Sequence, residues 1–163
     1  MVAHILNKMT AYFGRDVRRI NHALKVYGFA LAIMADENLS GRDVLAVELS
    51  AVLHDIGIHE AERKYQSSAG KYQELEGPPI ARALLEEADV DSGVIDRVCF
   101  IIGNHHSYGK IDGNDFQILV EADFLVNIFE DGMDAGQIGS IRDKYFRTAG
   151  GLEIINSMYG GME

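Results

Sequence analysis

The 163-residue sequence contains one cysteine, two prolines and no tryptophan. The single Cys99 excludes an internal disulfide, and its apolar neighbours indicate a buried, inert thiol. Lys and Arg number 15 against 25 Asp and Glu, and this net charge of −10 argues against a nucleic-acid polymer or an anionic membrane as partner. Neither a leader-type apolar region nor a run of membrane-spanning length occurs, so we expect a cytoplasmic protein.

Hydrophobic periodicity predicts an all-α fold, a single-domain helical bundle over residues 1–163. Ser40 is expected to N-cap the third helix, and Pro78-Pro79 to open the fourth. The polar segment 58–77 is expected to be either a lid over a site or a short helix followed by a loop. The predicted helices cover about residues 2–13, 15–37, 40–54, 78–88, 92–105, 116–129, 135–147 and 152–158.

Three of these helices each place one ionisable residue on an otherwise apolar inward face, namely His22, His54 and Asp123. Asp55 follows His54 directly, and His105-His106 ends a fourth apolar stripe. Any one of these histidines alone would be interpreted as a satisfied core or surface residue. As a group they favour a cation site, because buried His and Asp side chains are costly singly but stable around a metal ion. Two imidazoles and two carboxylates suit a catalytic transition metal with open positions for water.

Four segments, in this order, resemble the signature of the HD-domain superfamily of metal-dependent phosphohydrolases. They are HALKV from His22, AVLHDIG from Ala51, IIGNHH from Ile101 and LVEADFL from Leu119. The resemblance covers roughly residues 15–130 and implies an HD-type helical bundle with the metal site at its centre, followed by C-terminal helices over 135–159. It also implies hydrolysis of phosphomonoester or phosphodiester bonds in a nucleotide or another small phosphorylated metabolite.

The resemblance also implies roles for individual residues. The four metal ligands would be His22, His54, Asp55 and Asp123. Asp55 would in addition accept the proton of the attacking water, and His105 and His106 would stabilise or protonate the departing oxygen, or hold a second metal. One divalent ion is expected to bind tightly, with Mn, Fe, Co, Ni, Mg and Zn not distinguished, and a second ion is left open.

Three further residues are predicted to bind the substrate, namely Arg18, Lys71 and Glu76. Arg18 lies one turn before His22, although a surface arginine is the alternative. Lys71 would bind phosphate if the segment around it folds over the site. Two-metal relatives carry a histidine between the central and later motifs, and this chain has none there. Glu76, the nearest candidate, would bind a second metal or orient water, or else is a solvated residue before a helix.

The sequence therefore predicts a phosphohydrolase that uses metal-activated water on a small phosphorylated substrate. One alternative is a non-catalytic HD module that is stabilised by a metal or senses a ligand. A second alternative is a di-iron oxygenase, which the missing middle histidine disfavours. A homo-oligomer is compatible with the sequence, which leaves the substrate and the physiological metal open.

Overall fold

The computed structural model describes residues 1–35 and 37–161, and within these ranges the chain is all-helical, as predicted. A short 3₁₀ turn spans Tyr108–Lys110. The α-helices of the described ranges are α1 (Val2–Phe13), α2 (Val17–Met34), α3 (Gly41–Leu53), α4 (Ile58–Tyr65), α5 (Gly70–Glu86), α6 (Ser92–Ile102), α7 (Asn114–Glu130), α8 (Ala135–Tyr145) and α9 (Ala149–Tyr159).

Helix α3 lies at the centre of the bundle, because it packs against α1, α2, α6 and α7. On one side Leu49 and Leu53 join an apolar cluster with residues of α1, α5 and α6. On the other side Val47 and Ala51 join a second cluster with residues of α2 and α7. Both sides of α3 are therefore buried. His54, which follows the last residue of α3, is also fully buried.

Side-chain caps define where several helices begin. Ser40 accepts a hydrogen bond from the backbone N–H of Asp43 at the start of α3, which confirms the predicted N-cap. Asp134 and Gln137 form a reciprocal capping box at the start of α8. Asp16 caps α2 by accepting a hydrogen bond from the backbone N–H of Arg19. The contact of Asp16 with His59 places the first turn of α2 beside the start of α4.

The segment 58–77 is more regular than either sequence-based alternative. It forms α4, a short connection and the first half of α5. The prediction that Pro78-Pro79 opens a helix is wrong, because both prolines lie inside α5. Each proline removes one helical N–H donor. Packing of α5 along α6 compensates for this loss, and the Cys99 thiol lies 3.5 Å from the carbonyl of Pro78 as a hydrogen-bond donor.

Two glycines allow α5 to approach the turn that follows α3. A Cβ atom placed on Gly57 would lie 2.5 Å from the backbone nitrogen of Gly77 and 2.8 Å from the carbonyl oxygen of Gln73. Gly57 has an ordinary helical φ of −77°, so the space and not the backbone conformation requires glycine here. The close approach brings one face of α5 directly over the turn that carries His54 and Asp55.

Helix ends differ from the predictions by a few residues. Helix α2 ends at Met34, whereas the prediction continued to Glu37 through position 36, which lies outside the described residues. The last two residues of the predicted domain, 162 and 163, also lie outside them. Among the described helices, none combines the length and the hydropathy needed to cross a membrane.

Candidate metal centre

Four helices of the bundle and the turns after them deliver the ionisable residues. His22 lies in the second turn of α2, and Asp123 lies in the middle of α7. His54 and Asp55 follow the last residue of α3, and His105-His106 follows the end of α6. Because α3 packs against α2, α6 and α7, these residues meet at one place in the bundle.

His22, His54 and Asp123 form a first group whose ligand atoms all lie within 4.8 Å of one another. The Nε2 atom of His22 is 3.1 Å from Nε2 of His54 and 3.1 Å from Oδ1 of Asp123. The Oδ2 atom of Asp55 joins them at 3.7 Å from His22 Nε2 and 3.6 Å from His54 Nε2. Two imidazoles and two carboxylates therefore point at a common centre.

The outer nitrogen of each imidazole is held by an acceptor. His54 Nδ1 donates to the carbonyl oxygen of Ala51 at 3.0 Å, because a carbonyl can only accept. His22 Nδ1 lies 3.0 Å from Oε2 of Glu130, whose carboxylate also accepts from Lys25. With its proton on Nδ1, a neutral imidazole presents the Nε2 lone pair to the centre, which is the arrangement typical of metal-bound histidines.

Asp55, His105 and His106 form a second group of candidate ligands. This group lies beside Oδ1 of Asp55, whereas Oδ2 faces the first group. His105 Nε2 lies 3.5 Å from Asp55 Oδ1, and His105 Nδ1 donates to the carbonyl oxygen of Ile102 at 2.6 Å. The Nε2 atoms of His105 and His106 are buried without a hydrogen-bond partner among the described residues. Asp55 is therefore shared, with Oδ2 facing the first group and Oδ1 facing the second.

Electrostatics keep the carboxylates ionised. Burial would raise the pKa of Asp55 and of Asp123, but the neighbouring histidines outweigh this effect and lower both values. Burial is also the largest influence on the pKa of His54 and lowers it, so its ring is neutral near pH 7. For His22 the burial effect is overcome by the hydrogen bond and charge of Asp123, and its pKa rises to about 9.

A divalent metal ion fits this donor set. Imidazole and carboxylate ligands lie about 2.0–2.2 Å from a metal such as zinc, so neighbouring ligand atoms are expected about 3.0–3.5 Å apart. The separations of 3.1 Å around His22 Nε2 agree with this spacing, and those from His54 Nε2 to Asp55 and Asp123, both 3.6 Å, and from His22 Nε2 to Asp55, 3.7 Å, are slightly longer. A cation bound beside these two Nε2 atoms, which lie 3.1 Å apart, would accept the lone pair of each ring.

A solvent-open cavity lies over the first group. Asp55 and His22 form its floor. Arg18 is exposed at its wall, whereas Arg19 is occupied by ion pairs with Asp16 and Glu62. The cavity thus joins a candidate cation site to the exposed guanidinium of Arg18, which is available to an anionic ligand. The remaining lining residues are Ile58, Ser68, Asn127, Glu130 and Asp131.

Comparison with known proteins identifies the family. The family model of the HD domain matches residues 19–136, a stretch that contains both groups of candidate ligands. The chain belongs to the HD domain family. Membership of this family implies a metal-dependent hydrolase superfamily. No curated protein and no solved structure matches the chain.

The remaining substrate-binding candidates of this HD domain lie at different distances from its site. The Lys71 side chain is exposed, with Nζ 4.7 Å from the ring centroid of Tyr72, and it does not line the cavity. Glu76 is buried in contact with α4, where Oε2 accepts from Lys64 at 2.7 Å and Oε1 from Tyr65 at 2.8 Å. Of the three predicted substrate ligands, Arg18 therefore lines the cavity and Lys71 does not. Glu76 is bonded to Lys64 and Tyr65 of α4.

Sequence reasoning missed two residues that contact the ligands of this HD domain. Glu130 lies seven residues after Asp123, so both share one face of α7, and this spacing could have identified it. Glu74 accepts from the backbone N–H of His106 at 3.0 Å and from Ser107 Oγ at 3.1 Å. No local signal indicated Glu74, because its partners lie in a turn more than 30 residues away along the chain.

Proposed function

We propose that this chain is a metal-dependent phosphohydrolase that cleaves a phosphomonoester or phosphodiester bond in a nucleotide or another small phosphorylated metabolite. The observation that carries the proposal is the convergence of His22, His54, Asp55 and Asp123. Two of them, His22 and Asp55, line a cavity that Arg18 also lines. The cation site and the guanidinium together suit a phosphoryl group, because both interact with its oxygens.

A divalent ion bound by His22, His54, Asp55 and Asp123 would supply an activated water and polarise a phosphoryl oxygen. Arg18 would neutralise the phosphate charge, and Ser68 and Asn127 would donate hydrogen bonds to its oxygens. Asp55, which stays ionised at the cavity floor, is placed to accept a proton from the water nucleophile.

Neither His105 nor His106 lines the cavity, and His105 Nε2 lies 3.5 Å from Oδ1 of Asp55, a residue that does line it. The side chain of His105 is 2% exposed. We therefore expect His105 to act on the reaction through Asp55 or through a second cation. His106 is less buried, and it remains our candidate for contact with the departing oxygen.

The decisive experiment measures metal content and hydrolysis together. Purified protein would be stripped with a chelator and reloaded with Mn²⁺, Fe²⁺, Co²⁺, Ni²⁺, Mg²⁺ or Zn²⁺, then assayed on phosphomonoesters, cyclic nucleotides and nucleotides. We expect activity only after reloading. His54→Ala and Asp55→Ala should lose tightly bound metal and activity together, because each removes a proposed metal ligand. His4→Ala is the matched control, since His4 is an exposed histidine on α1.

Three results would contradict the proposal. Full hydrolysis by the demetallated protein would show that the cation site does not carry the reaction. Metal content without turnover on any phosphoester would favour a structural or ligand-sensing module. Turnover that needs iron and oxygen, with no phosphoester hydrolysis, would favour a di-iron oxygenase.

A further inference from the structure

Helix α2 carries apolar side chains on two opposite sides. The buried side packs against the rest of the bundle and consists of His22, Ala23, Val26, Ala30 and Ile33. The opposite side carries Val17, Leu24 and Leu31, which are 61%, 43% and 37% exposed. A helix that is apolar on all sides is normally covered on all sides, because exposed apolar surface costs free energy in water. Among the described residues nothing covers this second side of α2.

The exposed side of α2 follows a heptad repeat. Its members alternate at steps of four and three positions, and they are Val17, Asn21, Leu24, Gly28, Leu31 and Ala35. All six are exposed, and we call them the α2 seam. The first, third and fifth are large and apolar, whereas the others are shorter. This spacing is the one with which two helices pack along each other in a coiled coil.

The short members of the α2 seam leave room for the side chains of a second helix. Gly28 has no side chain, and a Cβ atom placed there would meet no other atom within 4 Å. The amide of Asn21 folds back along its own helix, where Nδ2 donates to the carbonyl oxygen of Val17 at 2.8 Å. Helix axes pack about 8–10 Å apart, and small residues at the contact permit the lower end of this range.

The α2 seam is complementary to a second copy of itself in the antiparallel direction. Its large and its short members both recur every seven residues, so this orientation sets every large residue against a short one. Leu24 then meets Gly28 of the second copy near the centre, and Val17 meets Ala35 at each end. Each contact occurs twice, as a twofold axis requires. A parallel pair would set Leu24 against Leu24 and Gly28 against Gly28, so that crowded and empty layers alternate.

The charge of α2 also suits contact between two copies. The chain has 25 acidic residues and a net charge of −10, which opposes self-association over most of its surface. Helix α2, however, contains no acidic residue. Arg18 and Lys25 lie along one edge of the seam, and Lys25 is neutralised by its ion pair with Glu130. Two copies therefore meet little repulsion between like charges on this face.

We infer that the α2 seam is the interface of a homodimer in which the two α2 helices pack antiparallel. The inference goes beyond the proposed hydrolysis and does not depend on it. The seam is about 28 Å long and a helix is about 10–12 Å wide, so each copy contributes roughly 300 Å² of projected area. Phe129 and Met158, which are 76% and 41% exposed, share an apolar cavity with Lys25 and extend the contact. This size corresponds to a weak dimer with a dissociation constant of about 10 μM.

The test measures the mass of the full-length protein by sedimentation equilibrium from about 1 to 500 μM. The unsubstituted protein should shift from the monomer mass of 18.0 kDa towards twice that mass. Leu24→Glu should weaken the dimer by about 100-fold, because it places two carboxylates at the centre of an apolar contact. Leu75→Glu is the matched control, since Leu75 is a 60% exposed leucine on α5 and not part of the seam, and it should dimerise like the unsubstituted protein.

Gly28→Leu tests the direction of the two helices. In the antiparallel pair the new side chain meets Leu24 of the second copy, so the dimer should weaken by about 10-fold. In a parallel pair it would fill an empty layer, and the dimer would tighten. The monomer accommodates this change, because the space beside Gly28 is open.

The inference is overturned if the unsubstituted protein stays monomeric at every concentration, or if Leu24→Glu dimerises as tightly as the unsubstituted protein. A tighter dimer of Gly28→Leu overturns the antiparallel packing. Circular dichroism would verify that each variant is folded, and if Leu24→Glu does not fold, an unchanged affinity in Gly28→Leu overturns the inference instead. None of these results depends on metal binding or hydrolysis, so failure of the proposed function is recognised separately.

Discussion

The contact between Gly57 and Gly77 permits a sharp test of how α5 is held over the site. Gly57→Ala places a methyl group 2.5 Å from Gly77 N, 2.8 Å from the carbonyl oxygen of Gln73 and 2.8 Å from the Gly77 Cα. All three are backbone atoms in the middle of α5, so no side-chain rotation relieves the clash. The helix or the His54–Gly57 turn must move by about 1 Å to restore ordinary contact distances.

Overpacking of a buried contact costs about 1–3 kcal/mol, and a clash with backbone belongs at the upper end. We therefore expect Gly57→Ala to lower the free energy of unfolding by about 3 kcal/mol. For a domain of this size 1 kcal/mol corresponds to about 2–4 °C in Tm, so the expected decrease is roughly 6–12 °C. Because the turn carries Asp55, the displacement should also weaken Mn²⁺ binding.

Gly77→Ala is the matched control at the same contact. A Cβ atom there would meet its nearest neighbours at 3.8 Å or more, which is ordinary packing. Replacing glycine by alanine inside a helix stabilises it by about 0.5–1 kcal/mol, and the restriction on a residue before proline offsets this gain. We expect a change in unfolding free energy within about 1 kcal/mol of zero.

Urea denaturation of the metal-free proteins, followed by circular dichroism, would measure both changes on the same scale. The expected result is a large loss for Gly57→Ala and a small change for Gly77→Ala. Equal stability of Gly57→Ala and the unsubstituted protein would refute the close approach of α5, and so would equal losses in the two variants.

Three further predictions concern the surroundings of the site. Glu130→Gln should weaken the binding of Mn²⁺ at the site of His22, His54 and Asp123 by about 10-fold in a titration, since the Glu130 carboxylate orients His22. An unchanged affinity would contradict this role. Arg18→Ala should raise KM for a phosphorylated substrate by about 10-fold with little change in kcat, because the guanidinium binds substrate and transition state alike. Asp16→Asn should reduce stability at pH 7 by about 1 kcal/mol, with solvent exposure limiting the effect, and this difference should vanish near pH 2 in acid denaturation.

The sign of the Asp16 prediction follows from its pKa. Burial would raise this pKa, but hydrogen bonds from His59 and Arg19 outweigh it and lower the value from 3.8 to about 2. A carboxyl group whose pKa is lower in the folded protein stabilises the fold above its unfolded pKa, and this contribution disappears as the pH falls through the folded value. A difference between the two proteins that persisted undiminished at pH 2 would show that the cap and ion pairs of Asp16 are not its source.

The sequence by itself determined the helical class and most helix starts, because apolar periodicity and N-caps are local properties. Ser40 at the start of α3 is an example, since its bond reaches only to Asp43. The ionisable residues on inward faces could also be identified, because His22, His54 and Asp123 each interrupt an otherwise apolar stripe. Their type and order were sufficient to indicate a metal site.

Only the tertiary structure decided which side chains meet at the candidate metal centre. Glu130 reaches His22 across 108 positions of the chain, and Lys64 and Tyr65 occupy Glu76 because α4 packs against α5. The sequence also favoured a break before Pro78, yet packing against α6 carries α5 through both prolines. The candidate metal centre that the His54-Asp55 pair indicated is therefore completed by contacts between helices that are distant in the sequence. The local sequence pattern does not encode which helix faces pack together.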